Sequence, residues 1–106
     1  NGHVSRPYLG VGVFDKNTAA KSGYLLNIDK GVYVAQVESD SPAAGAGIRR
    51  GDIIEKIDDK EINTVNDLTG AISAHKISDK VSLVIIRNGS EITVTAQLQE
   101  MPAANQ

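Results

Sequence analysis

The sequence predicts a mainly β domain with two helices: a small, five-stranded, partly open antiparallel barrel or sandwich capped by the two helices. Three observations predict it. VSLVIIRNGSEITVTAQL, residues 81–98, is two β-rich runs joined by Asn88-Gly89, the strongest short-range hairpin signal. Two more runs, 31–37 and 53–57, are short, rich in Val and Ile, and bounded by glycine or acidic turn residues. SPAAGAG at 41–47 and NTVNDLTGAISAHK at 63–76 carry helix start signals and helical spacing.

Taken in chain order, residues 1–6 (NGHVSR) are polar and aperiodic and read as a linker, with the domain spanning 7–99 and a tail at 100–106. PYLGVGVF at 7–14 reads as one strand with Leu9, Val11 and Val13 on one face, although Gly10 and Gly12 interrupt it at an entropic cost. The polar segment 15–31 reads as a loop with one helical turn and an apolar patch at Tyr24, Leu25, Leu26 and Ile28. A strand follows at 31–37, with Val32 and Val34 alternating.

Ser41 is a good N-cap, Pro42 suits the first helical position, and Gly47 suits a left-handed close. A turn at Gly51 leads to a strand through Ile53–Ile57 and a tight turn over Asp58–Lys60. The longer helix starts at a cap on Asn63 or Thr64, its face made of Val65, Leu68, Ala71 and Ile72. Gly70 within it costs about 1 kcal/mol against alanine. In the last strand Ile92, Val94, Ala96 and Leu98 alternate with polar residues, so one face is buried and one is wet.

Composition narrows the function. The chain has 106 residues, room for one small core, and a net charge of −2, which leaves no basic footprint for nucleic acid. No segment reads as a signal peptide, and VSLVII is far too short to cross a bilayer. Cysteine is absent, so a metal could draw only on His3, His75 and carboxylates, none at metal-site spacing. No serine lies in a glycine-rich nucleophile loop, and Asp58, Asp59 and Glu61 cluster in a turn where acids are usually solvated. No catalytic residue, metal or cofactor is therefore expected. Asp52 reads as a structural tie for the turn after Gly51, and His75 as a helix-end residue favoured by the dipole.

Four stretches together resemble a PDZ domain of the bacterial type attached to HtrA/Deg-type serine proteases. They are RPYLGV at 6–11, SPAAGAGIRRGDIIEKIDDKEI at 41–62, TVNDLTGAISAH at 64–75 and the Arg-Asn-Gly hairpin. The strand order is similar to the circularly permuted bacterial arrangement. Two features depart from the family pattern: 15–31 is long and polar, and Asp59 stands where glycine is usual.

The resemblance implies a non-catalytic module that binds C-terminal apolar peptide ends by strand addition. It would recruit substrate to, or regulate, an attached and oligomeric protease. Partners would be C-terminal or unfolded polypeptide segments and the chain's own protease domain, in an extracytoplasmic setting, with no nucleic acid and no membrane insertion. An oligomerisation or scaffold role, or a PDZ domain of another protease or signalling host, stays open beside it.

Tyr8, Leu9, Gly10 and Val11 would form the loop that receives the peptide carboxylate, Gly10 permitting close approach and converging N–H groups. Gly12, Val13 and Phe14 would pair with the peptide backbone, with Gly12 marking a bulge as the other reading. Leu9, Val11, Val13, Val65, Leu68, Thr69 and Ile72 would line the side-chain pocket, Leu68 and Ile72 serving the core as well. Arg6 either assists the carboxylate or is simply solvated. On this reading Gly10→Val abolishes binding and leaves the fold intact.

Overall fold

The computed structural model of the chain describes residues 7–21, 23 and 30–100. The predicted linker with Arg6 and His3, the apolar patch at 24–28 and residues 101–106 lie outside the described residues. Among the described residues no helix is long and apolar enough to cross a membrane.

The elements are β1 (Pro7–Tyr8), β2 (Val11–Phe14), α1 (Lys16–Lys21), β3 (Val32–Val37), α2 (Pro42–Ala46), β4 (Ile53–Ile57), β5 (Lys60–Glu61), α3 (Val65–Ser73), β6 (Lys80–Arg87), β7 (Ser90–Gln97) and β8 (Gln99–Glu100). The main sheet runs β2-β3-β4-β6-β7, all antiparallel, with β5 paired to β4. These five strands are the predicted ones. The sheet does not close into a barrel, so β2 ends it on one side and is an open edge. β1 pairs with β8 as a separate ribbon, which takes pairing out to Glu100.

Two elements differ from expectation. The stretch 7–14 is two strands rather than one, broken at Leu9-Gly10, where Gly10 adopts φ +91°. A third helix, α1, forms in the segment read as a loop, and Asp15 starts it. The Asp15 Oδ1 accepts from Thr18 N–H at 2.7 Å, while Thr18 Oγ1 accepts from Asp15 N–H at 2.8 Å. That reciprocal pair satisfies two donors a helix start otherwise leaves open.

The other helices begin and end as their residues dictate. Ser41 Oγ accepts from Ala44 N–H at 3.2 Å, Pro42 follows it, and Gly47 closes α2 at φ +88°. Thr64 caps α3 in a capping box with Asp67, while Asn63 turns its side-chain oxygen to the Gly31 N–H at 3.3 Å. Asn88 and Gly89, at φ +53° and +79°, make the hairpin turn. Asp58 and Asp59 make the β4–β5 turn at φ +49° and +69°, a conformation aspartate tolerates better than most residues.

The core lies on one face of the sheet. Cross-strand partners Val32, Ile54 and Ile85 sit in one buried row, and Ile57 with Leu83 in another. Leu68, Ala71 and Ile72 of α3, together with Ala43 and Ile48, cover them. Full burial of each large aliphatic side chain contributes about 1.5–3 kcal/mol. The bulge suspected at Gly12 exists, but its extra residue belongs to the neighbouring strand. Gly12 opposes Gln36 and Val13 opposes Val34, which leaves Ala35 unpaired on β3.

Candidate functional site

A groove of about 250 Å³ opens between the start of β2 and the C-terminal half of α3. Pro7, Tyr8, Leu9, Gly10 and Val11 form one side, and Leu68, Thr69, Ile72 and Ser73 the other. The helical spacing explains the second wall. Leu68 and Ile72, four apart, form an inner apolar row that is also buried core, while Thr69 and Ser73 form a hydroxyl-bearing rim. The Thr69 hydroxyl donates to the Val65 carbonyl at 3.0 Å.

The backbone of the loop is aimed by its carbonyls. Leu9 C=O accepts from Ala43 N–H at 2.9 Å, and Gly10 C=O accepts from Glu38 N–H at 2.8 Å. In a trans peptide the following N–H points the opposite way. The Gly10 N–H therefore turns away from α2, and the Val11 N–H turns away from β3 toward the open edge. Among the described residues neither Leu9 N–H nor Gly10 N–H has an acceptor. Strand alternation carries the pattern onward: Gly12 faces β3 and Val13 the open side.

Gly10 is needed for a reason that lies behind the loop. A Cβ on it would stand 2.3 Å from Ser41 Cβ and 2.6 Å from Ser41 Oγ. Its bare Cα thus admits the cap of α2, and its left-handed φ disfavours any side chain. This contradicts the expectation that Gly10→Val leaves the fold intact. Gly12 is under no such constraint, since a Cβ there would meet Gln36 Cβ at an ordinary 3.4 Å.

Of the predicted site residues, Tyr8, Leu9, Gly10, Val11, Leu68, Thr69 and Ile72 come together around the groove. Gly12, Val13 and Phe14 continue β2 along its edge, and Val11 and Val13 pack against the core. Val65 does not line the groove; it is the first residue of α3, in the row of Thr69 and Ser73. Pro7 and Ser73 line it without having been predicted, although Ser73 continues the four-residue spacing from Thr69.

Burial, then the charge of Glu38, raises the Tyr8 phenol above its ordinary value, so it stays protonated at neutral pH. Asp15, 6% exposed, has its carboxyl lowered, first by the Thr18 N–H and next by the Val65 N–H. Asp52 is the structural tie expected: its carboxylate accepts from Arg49 N–H at 2.9 Å and from Arg87 Nε at 3.0 Å and Nη2 at 2.7 Å. Arg87 also donates to Gly47 C=O at 2.7 Å, fastening the end of α2 to β6. Burial opposes ionisation of Asp52, and the Arg87 and Arg49 contacts outweigh it, so its carboxyl is lowered. His75 follows α3 with Nε2 2.8 Å from Asp58 Oδ2 and Nδ1 3.3 Å from Asp79 Oδ2, away from the groove lining.

The family profile for the PDZ domain matches residues 7–98. The chain belongs to the PDZ-domain family. Its PDZ fold aligns with serine protease Do-like HtrA of Bacillus subtilis, 38% identical over 109 residues, covering 93% of this chain and 24% of the relative. A probable periplasmic serine endoprotease, DegP-like, of Pseudomonas fulva is 38% identical over 103 residues, covering 97% of this chain and 22% of the relative.

Among solved structures, the HtrA-type protease AlgW with decapeptide superposes at TM-score 0.78 with 30% identity, over 98% of this chain and 32% of that one. The HtrA3 PDZ domain bound to a phage-derived ligand superposes at TM-score 0.75, over 92% of this chain and 89% of that one. At 18% identity it speaks for the fold alone. This PDZ domain spans about a quarter of the length of the curated relatives it matches.

Proposed function

We propose that this PDZ domain captures free apolar C-terminal ends of polypeptides by strand addition to β2. It would act as the non-catalytic, substrate-recruiting or regulatory part of an HtrA-type serine protease. The observation that carries the reading is the pair of N–H groups at Leu9 and Gly10 that have no acceptor among the described residues, set above an apolar pocket at the start of an open edge. A terminal carboxylate supplies the acceptors those donors lack, and its side chain fills the space between Leu9, Leu68 and Ile72. Val11 and Val13 then offer the backbone ladder, which shifts the pairing expected of Gly12–Phe14 onto the outward-facing residues.

One finding about a similar protein supports this reading: AlgW was solved with a decapeptide and with a tripeptide. The periplasmic relatives support an extracytoplasmic setting. Ordering a flexible peptide offsets much of what a few contacts contribute, so a single groove binds in the micromolar range, about −8 kcal/mol at most. Presentation on an oligomeric protease raises the effective affinity.

Fluorescence titration with labelled peptides ending in Val, Leu, Ile, Phe or Ala, each beside its C-terminally amidated twin, tests the reading. Binding of the free acid with loss on amidation is expected. Equal binding of acid and amide would mean that the edge takes internal sequences or another copy of the chain, and would sink it.

A further inference from the structure

Asp15 follows β2 at its end away from the Leu9-Gly10 loop, beyond the residues that line the groove. Val11 at the start of β2 lines the groove with Ile72 and Ser73 of α3, and Asp15 just past the end of β2 bonds Val65 at the start of α3, so strand and helix run antiparallel. The Asp15 carboxylate is shared between two helix starts. Oδ1 accepts from Thr18 N–H of α1 at 2.7 Å, and Oδ2 accepts from Val65 N–H of α3 at 2.8 Å, fifty residues away in sequence. Asp15 is nearly buried at 6% exposure. Its ring of local bonds to Thr18 leaves the carboxylate little freedom to follow a moving α3.

We infer that Asp15 is a positioning residue that sets the spacing between the end of β2 and the start of α3, and so the affinity for peptide residues upstream of the terminus. The inference rests on the peptide-binding reading above. The Val65–Asp15 bond is the point where the helix wall is tied to the edge strand. A tripeptide, with about 3.3 Å per residue, occupies only the carboxylate end, whereas a hexapeptide runs past the end of β2. Loosening the tie allows the helix start to drift, so the spacing that fits a strand is populated for less of the time and apparent affinity falls in proportion.

The test compares an acetylated hexapeptide ending in a free-acid valine with the tripeptide cut from its C-terminal end, each titrated by NMR into the 106-residue chain. Asp15→Asn replaces one acceptor oxygen by a donor and is expected to weaken the hexapeptide about fivefold to tenfold and the tripeptide less than about twofold. Equal losses for both lengths, or none, would show that Asp15 only supports the fold and would overturn the inference.

Should Asp15→Asn fail to fold, Val65→Pro removes the single N–H at a position where proline is tolerated, after a residue already extended at ψ 163°. Val65→Ala, which keeps the N–H, is its reference, and the length-dependent loss must appear in the proline variant alone. Wild-type chain that binds neither peptide refutes the peptide reading itself. Wild-type binding with an unchanged length ratio in the variants refutes only the role of Asp15.

Discussion

Gly10→Ala is the substitution whose cost can be worked from the geometry. Alanine in the left-handed region that Gly10 occupies costs about 1–2 kcal/mol before any contact is made. The new Cβ then stands 2.3 Å from Ser41 Cβ, and no rotation of Ser41 moves that carbon. The loop must instead separate from α2. Separation puts at risk the Leu9–Ala43 bond, about 1 kcal/mol. It also threatens the Ser41 cap, typically about 1 kcal/mol.

The sum is about 3–4 kcal/mol, a large part of the 5–15 kcal/mol typical of a domain. In urea, at a slope of about 1–1.5 kcal/mol per molar, the midpoint falls by roughly 2–4 M. Ser41→Gly should rescue part of it, because glycine at the cap costs only a few tenths of a kcal/mol and removes both clashing atoms. The double variant is expected to retain only the backbone penalty of about 1–2 kcal/mol. Gly12→Ala serves as the control and should stay within about 0.5 kcal/mol of wild type. A Gly10→Ala midpoint within experimental error of wild type, or no rescue by Ser41→Gly, would refute the account of why this glycine is there.

Two further variants probe a structural tie and a wall of the pocket. Asp52→Ala strips the acceptor from Arg49 N–H and from the Arg87 fork, and should lower stability by about 2–3 kcal/mol at neutral pH in a denaturant titration. Because the folded carboxyl is lowered, its contribution is complete above the unfolded value of about 3.9 and is lost as pH falls through the folded one, so the variant should show the smaller loss of stability below about pH 4. Ile72→Ala empties one wall of the pocket and part of the core at once. Thermal unfolding should register a loss of about 2–4 kcal/mol, and preference should shift toward bulkier terminal side chains in a peptide titration.

What the sequence disclosed and what it withheld differ in range along the chain. Asn88-Gly89, Ser41-Pro42 with Gly47, and Thr64 with Asp67 act within three or four residues, and the structure has each where the local chemistry puts it. The Asp15–Thr18 cap of α1 is equally local and was legible as a helix start, but the polar run around it read as loop. The break at Leu9-Gly10 was hidden because its cause, Ser41, comes thirty-one residues later. The second bond of Asp15 was hidden for the same reason, with Val65 fifty residues on. Spacing along α3 set Leu68, Thr69 and Ile72 on one side, while the loop residues on the other side came from the family resemblance. Val65 is not among the residues lining the groove, which on α3 begin one turn further along at Leu68.

The central claim concerns the Leu9 and Gly10 amides just before β2, which have no acceptor among the described residues. The most direct measurement is an amide-resolved NMR titration of the chain with a free-acid apolar peptide and with its amide. The account predicts that the Leu9, Gly10 and Val11 amide protons move downfield and gain exchange protection with the acid, and do so weakly or not at all with the amide. Shifts confined to other edges of the sheet, or an identical response to acid and amide, would contradict it.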